Sequence, residues 1–231
     1  MTVAIIAAMS VEAELIKNAM EEKTEERVGS QVFTKGKIGG VTVVAAVCGI
    51  GKVWAAICAE AMILRFSPDL IINTGIAGTL TGSLSIGDVA IASSVCHHDF
   101  DTTALGDAPG DAAVPGADGA MIPADRKTAE RLCAITREEG VRALTGPIAS
   151  GDQFISSSEK KEWIAKTFSA VACEMEGASI GHVSAANGVP FAVIRAISDS
   201  ADGEAPDNYP EFSRASAERS ARIVIRFIKE L

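Results

Sequence analysis

Aromatic side chains are scarce in this 231-residue chain: eight Phe, two Trp and one Tyr make up 5% of it. Because 48% of the residues are hydrophobic, the core has to be built from aliphatic side chains and alanine. Positive charge is in deficit as well, with 21 Lys and Arg against 30 Asp and Glu and a formal net charge of −9. A polyanion needs clustered cations to neutralise its phosphates, which argues against nucleic acid as the main partner. A nucleoside carries no phosphate and is not excluded. Cysteine pairing is absent: Cys48, Cys58, Cys96, Cys133 and Cys173 are odd in number, scattered, and never spaced as Cys-x-x-Cys. Neither a disulfide frame nor a zinc ribbon is indicated, and the five read as buried thiols in a reducing cytoplasm.

Other chemistries are missing too. Cys96-His97-His98-Asp99 cannot converge on a metal from a strand, where neighbours point to opposite faces, and His182 is the only other histidine. No metal and no cofactor are expected. Gly49-Ile50-Gly51-Lys52 lacks the earlier glycine of a phosphate loop and has Val53 where a hydroxyl is required, so it reads as a tight strand-to-helix turn. Gly75-Ile76-Ala77-Gly78 lacks dinucleotide spacing, though its small residues let backbone approach a flat ligand. There is no Gly-x-Ser-x-Gly elbow. The opening run Thr2-Val3-Ala4-Ile5-Ile6-Ala7-Ala8 is too short for a signal sequence or a membrane span. The expectation is a soluble cytoplasmic protein without a membrane partner.

What is present is alternation. Apolar runs that read as strands (Val3 to Met9, Leu70 to Thr74, Asp88 to Val95, Leu144 to Ser150, Ser169 to Glu174, Phe191 to Ser198) are separated by helical patterns. Those patterns cover Lys52 to Phe66, Asp125 to Glu139, Ser157 to Thr167, Gly177 to Asn187, and a last helix starting near Asp207. Ser10 is placed to cap a helix after the first strand, and Gln31 to Lys37 with Val41 to Cys48 reads as a hairpin around Gly39-Gly40. Phe100 to Met121, broken by Gly and Pro, is a long loop of the kind that carries function. The pattern predicts one α/β domain over residues 1–231, a three-layer α/β/α sandwich around a twisted mixed sheet.

Acids stand where apolar runs end. Glu12 follows the first, Glu174 and Glu176 flank Met175 after the fifth, and Asp199 closes the last. In open α/β sheets the carboxyl ends of parallel strands converge on a ligand crevice. Arg195, in an otherwise apolar strand, needs a buried anionic partner, and Glu174 or Glu176 can supply it. Together with the Gly49–Val53 and Ile71–Gly75 segments and Ser150-Gly151-Asp152-Gln153-Phe154-Ile155, these motifs resemble the nucleoside phosphorylase and nucleosidase superfamily over essentially the whole chain. Within it, they are most similar to the 5′-methylthioadenosine/S-adenosylhomocysteine nucleosidase family.

That resemblance implies hydrolysis of the bond between adenine and a 5′-thio-substituted ribose. Asp199 is then the acid that protonates adenine N7, and Glu12 the base that activates water. Glu176 takes the ribose hydroxyls, with Met175 against the nucleoside and Glu174, Arg195 and Ser198 around them. Phe154 stacks on the purine, the Ile155 backbone reads its edge, and Ala77 and Gly78 close over it. Met9, Ile50 and Phe212 enclose the sulfur substituent, and the loop carrying Leu105 and Pro115 completes the site of a second subunit in a homodimer. Asn73 stands where phosphorylases of the superfamily place a phosphate-binding arginine, which favours water over phosphate. The alternatives are a nucleosidase for 5′-deoxyadenosine or a futalosine-type substrate and, less favoured, a purine nucleoside phosphorylase. Two departures from the family pattern bear on the pocket: Ile76 beside the ribose, and Asp107 in an acidic loop.

Overall fold

The structure, a computed structural model, describes residues 1–201 and 209–231, with side chains described up to 201 and from 213. The first half runs β1 (Thr2–Ala7), α1 (Ser10–Ala19), β2 (Glu21–Val28), β3 (Gln31–Ile38), β4 (Val41–Val47), α2 (Lys52–Phe66), β5 (Leu70–Thr79) and β6 (Val89–His97). A short helical turn at Thr103–Leu105 follows, then β7 (Ile122–Pro123), α3 (Arg126–Glu138), β8 (Ala143–Ser150), α4 (Ser158–Phe168), β9 (Ala172–Glu174), α5 (Gly177–Ala186), β10 (Phe191–Asp199) and α6 (Tyr209–Lys229).

Successive strand residues point to opposite faces, and both faces are covered here. From β1, Ala4 and Ile6 enter a core shared with Ala55, Cys58, Ala59 and Met62 of α2 and Ala178 and Ile180 of α5. Val3 and Ile5 enter a second core with Ile16 of α1, Leu132 and Ile135 of α3, and Ile223, Val224 and Phe227 of α6. The expected three layers follow from that division. A smaller cluster around Ile164 and Phe168 seats α4 at one end.

In the sheet, β1 lies between β4 and β5 and is parallel to both. Beyond β4 the antiparallel strands β3 and β2 form one margin. On the other side β10 is parallel to β5 and antiparallel to β6, while β6, β8 and β9 run parallel to one another. Because β9 then pairs back onto β5, the half containing β5, β10, β6, β8 and β9 curls into a closed ring.

Four details differ from the sequence reading. The strand β2 was not foreseen, because Glu21-Glu22-Lys23-Thr24-Glu25-Glu26-Arg27 has no apolar alternation; it exists through backbone pairing with β3. The β5 strand continues to Thr79 rather than ending at Thr74, so Gly75–Gly78 lies within it. Ser10 lies inside α1 and caps nothing; Glu12 instead bonds back to the Met9 amide. Finally, β9 runs against β5, so its carboxyl end enters the crevice from the direction opposite to β1 and β10. The expected start of the last helix near Asp207 lies outside the described residues.

Candidate active site

One cleft gathers Met9, Glu12, Ile50, Ala77, Gly78, Phe154, Glu174, Met175, Glu176, Ser198 and Asp199. Ala8, Ile76 and Cys173 complete its lining. Arg195 lies behind the wall, 1% exposed. The Ile155 side chain packs into the cluster beneath α4 rather than into the cleft, which leaves its backbone as the part that can face a ligand. Leu105 and Pro115 sit exposed on the long loop, away from this chain's own cleft. Phe212 falls outside the residues whose side chains are described.

Glu12 is placed by the first turn of α1. Its Oε2 accepts the Ala8 amide at 3.0 Å and the Met9 amide at 2.9 Å, and its Oε1 accepts the Ile76 amide at 3.2 Å. Burial pushes its pKa up, and Arg195 and those three amides pull it back only in part, so the net shift is upward. The product is a carboxylate held in one orientation and more basic than an ordinary glutamate. Gly75 makes room for it, since a Cβ there would sit 2.5 Å from Glu12 Oε1 and press on the Arg195 guanidinium.

The three acidic and basic groups behind the cleft form a network. Arg195 Nη2 pairs with Glu174 Oε2, lies 3.5 Å from Glu176 Oε2, and donates to Asn73 Oδ1. This supplies the anionic partner that an arginine in an apolar strand demands. Glu174 also accepts the Glu176 amide at 3.0 Å, the Gly177 amide at 2.8 and 2.9 Å, and the Ser150 hydroxyl. Its oxygens are thus committed to the start of α5 and to Arg195. Glu176 is less engaged: Oε1 accepts the Gly51 amide at 2.9 Å and Oε2 has only the long Arg195 contact. Desolvation, then the charge of Glu174, raises the Glu176 pKa to about 7, with Arg195 opposing them.

Asp199 sits where the pairing of β10 with β5 slips between Ile197 and Asp199. That irregularity turns the carboxyl into the cleft, a common use of a bulge. Its Oδ2 accepts the Ser198 hydroxyl at 2.8 Å and its Oδ1 the Ala201 amide at 2.9 Å. Gly78 is needed opposite, because a Cβ there would stand 2.7 Å from Asp199 Oδ1.

Sequence reasoning passed over Ser150 and the supporting role of Asn73. The signal for Asn73 was available: an amide inside the buried run Leu70–Thr74 needs partners as much as Arg195 does, and it donates to the Ile6 carbonyl at 2.9 Å. Chemically, the cleft offers four carboxyls, of which Glu174 is tied to Arg195 and the start of α5, and no Lys or Arg among its described lining residues. It suits a neutral ligand with a flat part and a polyhydroxyl part. A free phosphate dianion would meet Glu12 and no facing cation.

Comparison with known proteins agrees with that geometry. A family model described as the phosphorylase superfamily matches residues 2–229. The 5′-methylthioadenosine/S-adenosylhomocysteine nucleosidase of Actinobacillus succinogenes is 41% identical over 236 aligned positions, covering 100% of both chains. A crystal structure of the nucleosidase of that name from Neisseria meningitidis, in complex with methylthio-immucillin-A, is similar at a TM-score of 0.93 and 40% identity, covering 100% of this chain and 99% of that one. The native structure of futalosine hydrolase from Helicobacter pylori reaches a TM-score of 0.92 at 32% identity, covering 100% of this chain and 98% of that one.

Proposed function

The chain belongs to the phosphorylase superfamily, and from that premise we propose that it hydrolyses the N-glycosidic bond of 5′-methylthioadenosine and S-adenosylhomocysteine, releasing adenine. The observation that carries this reading is the sharing of one cleft by Glu12, Glu176 and Asp199 with no cation among the described residues that line it.

Cleaving the bond leaves positive charge on the ribose and negative charge on the departing purine. Asp199, acting in its protonated form, delivers its proton to adenine N7 as the C1′–N9 bond breaks. Glu12 takes a proton from water as the water oxygen bonds to C1′, and its raised pKa suits it to that duty. Nearby carboxylates stabilise the cationic sugar as it forms. Glu176 binds the ribose hydroxyls, and the Glu174–Arg195 pair holds it in place. Phe154 stacks on the purine, the Ile155 backbone reads its edge, and Met175, Ala77 and Gly78 pack against the nucleoside. Met9, Ile50 and Phe212 surround the 5′ sulfur. Ser198 steadies Asp199 through its hydroxyl. Asn73 is held between Ile6 and Arg195, and as a neutral amide it offers a phosphate no counter-charge.

The working protein is a cytoplasmic homodimer serving methionine salvage. Its joining surface is the outer face of α2 with its neighbours, where Val53 and Leu64 are 68% and 72% exposed and Ile57 lies in an apolar groove with Val28 and Val183. Apolar surface of that extent is uncommon on a monomer. Leu105 and Pro115 then cover the neighbouring cleft. An adenine-release assay on both substrates, with and without phosphate, tests the reaction: phosphate-dependent turnover would convert the assignment to phosphorolysis. A futalosine-type substrate is the second reading, favoured by the likeness to futalosine hydrolase and by Ile76 in the cleft wall. Release of adenine or hypoxanthine from a panel of 5′-modified nucleosides separates the two.

A further inference from the structure

Glu176 depends on an amide, and that amide depends on a ring of residues outside the cleft. Gly51, which donates to Glu176 Oε1, stands at the head of α2 with φ of +101° and has no side chain to cap the helix. Asp152, from the connection between β8 and α4, supplies the cap: its Oδ1 accepts the Lys52 amide at 2.7 Å. The Asp152 amide in turn donates to Asp99 Oδ2 at 2.8 Å, and Asp99 Oδ1 pairs with Lys52 Nζ at 2.5 Å. Lys52, Asp152 and Asp99 therefore close a ring. The Ser179 hydroxyl ties it to α5 by donating to the Lys52 carbonyl at 2.7 Å.

We propose that this ring is a positioning clasp, which fixes the ribose carboxylate Glu176 and the purine-facing segment around Phe154 as one unit. The inference rests on the nucleosidase reading of the cleft. Lys52 and Asp152 touch no substrate in this scheme; they are positioning residues. Asp152 lies two positions before Phe154, and the Gly51 and Lys52 amides are successive, so movement at the ring shifts both sides of the ligand. The Lys52–Asp99 pair is the sheltered side of the ring, with side chains 20% and 16% exposed, while Asp152 closes it from the exposed side. Burial works against the Asp99 carboxylate, yet Lys52 and the Asp152 amide hold its pKa below the ordinary range. The other titratable groups nearby are His97 and His98 at the end of β6, Lys160 on α4 and His182 on α5; burial lowers the pKa of all three histidines, that of His97 to about 4. Glu12 and Asp199 are outside the ring, so opening it is expected to weaken ground-state ordering more than the chemical step.

The test compares steady-state kinetics on 5′-methylthioadenosine for the full-length wild type, Lys52→Met, Asp152→Ala, the double variant and Asp152→Asn. Opening the ring at either residue is expected to raise KM by about tenfold with kcat changed about twofold or less. The double variant should be no worse than either single, because a ring once opened has nothing more to lose. Asp152→Asn keeps a carbonyl for the Lys52 amide and should recover most of the lost KM. If Lys52→Met does not fold, Asp99→Asn, which removes the charge facing Lys52, takes its place with the same expectation. Additive losses, losses confined to kcat, or an Asp152→Ala enzyme equal to wild type would each overturn the clasp. A wild type that releases no adenine from either thioether substrate would instead remove the nucleosidase reading.

Discussion

Replacing Arg195 by Met takes away the one cation that two buried carboxylates share. The guanidinium is 1% exposed and is bonded to Glu174, Glu176 and Asn73, so none of the three can turn to water when it goes. Breaking a buried pair in this way costs about 3–5 kcal/mol, while Met fills much of the vacated volume. A domain stable by about 5–15 kcal/mol survives that loss, so the variant should fold and be measurable. Glu176 rises from an ordinary 4.5 to about 7 in the folded protein, and Glu12 is raised as well, with Arg195 restraining both. An acid whose folded pKa lies above its unfolded value adds stability while protonated and loses it as pH climbs through the folded pKa. For Glu176 in the wild type that loss develops between pH 4.5 and about 7. Without Arg195 the folded values move higher and the loss extends further, at about 1.4 kcal/mol for each added unit. Urea denaturation at pH 5 and pH 8 should therefore show a larger deficit at pH 8 than at pH 5. Equal deficits at the two pH values, or a deficit under about 1 kcal/mol at pH 8, would refute the account of Arg195 as counter-charge.

Asp199→Asn and Glu12→Gln should each lower kcat for adenine release by about 10²-fold or more while the fold is kept; near-normal turnover by either variant would remove that residue from its role. Gly75→Ala should cost both stability and activity, because the added methyl meets Glu12 Oε1 and the Arg195 guanidinium, and a thermal midpoint equal to wild type would contradict the packing. Leu64→Glu on the outer face of α2 should shift sedimentation from dimer to monomer and raise KM, since the partner's loop then no longer covers the cleft. A variant that stays dimeric would place the interface elsewhere.

Much of the architecture could be read from the chain because its strands are buried on both faces, which leaves uninterrupted apolar runs such as Val3–Ala8. The strand β2 could not be read, since nothing apolar marks a strand whose residues face solvent and whose order comes from its neighbour's backbone. At the site, acids following apolar runs were legible by the cost of burying charge, and Arg195 with Glu174 by the same rule. The direction of β9 was not, because a three-residue strand leaves no periodicity from which to tell parallel from antiparallel pairing. The Lys52–Asp99–Asp152 ring joins positions 47, 53 and 100 residues apart through single hydrogen bonds, a relation that local spacing does not encode.

The curled half of the sheet has a consequence for life at high concentration. With β10 bonded to both β5 and β6, that side offers no long unpaired backbone to a passing chain, and β2 is left as the open margin. Its sequence, Glu21-Glu22-Lys23-Thr24-Glu25-Glu26-Arg27, is charged at every position but one, so strand addition there would have to draw charged side chains out of water. Fibre-like growth by strand addition is discouraged at this margin, which leaves the helical faces free to govern self-association.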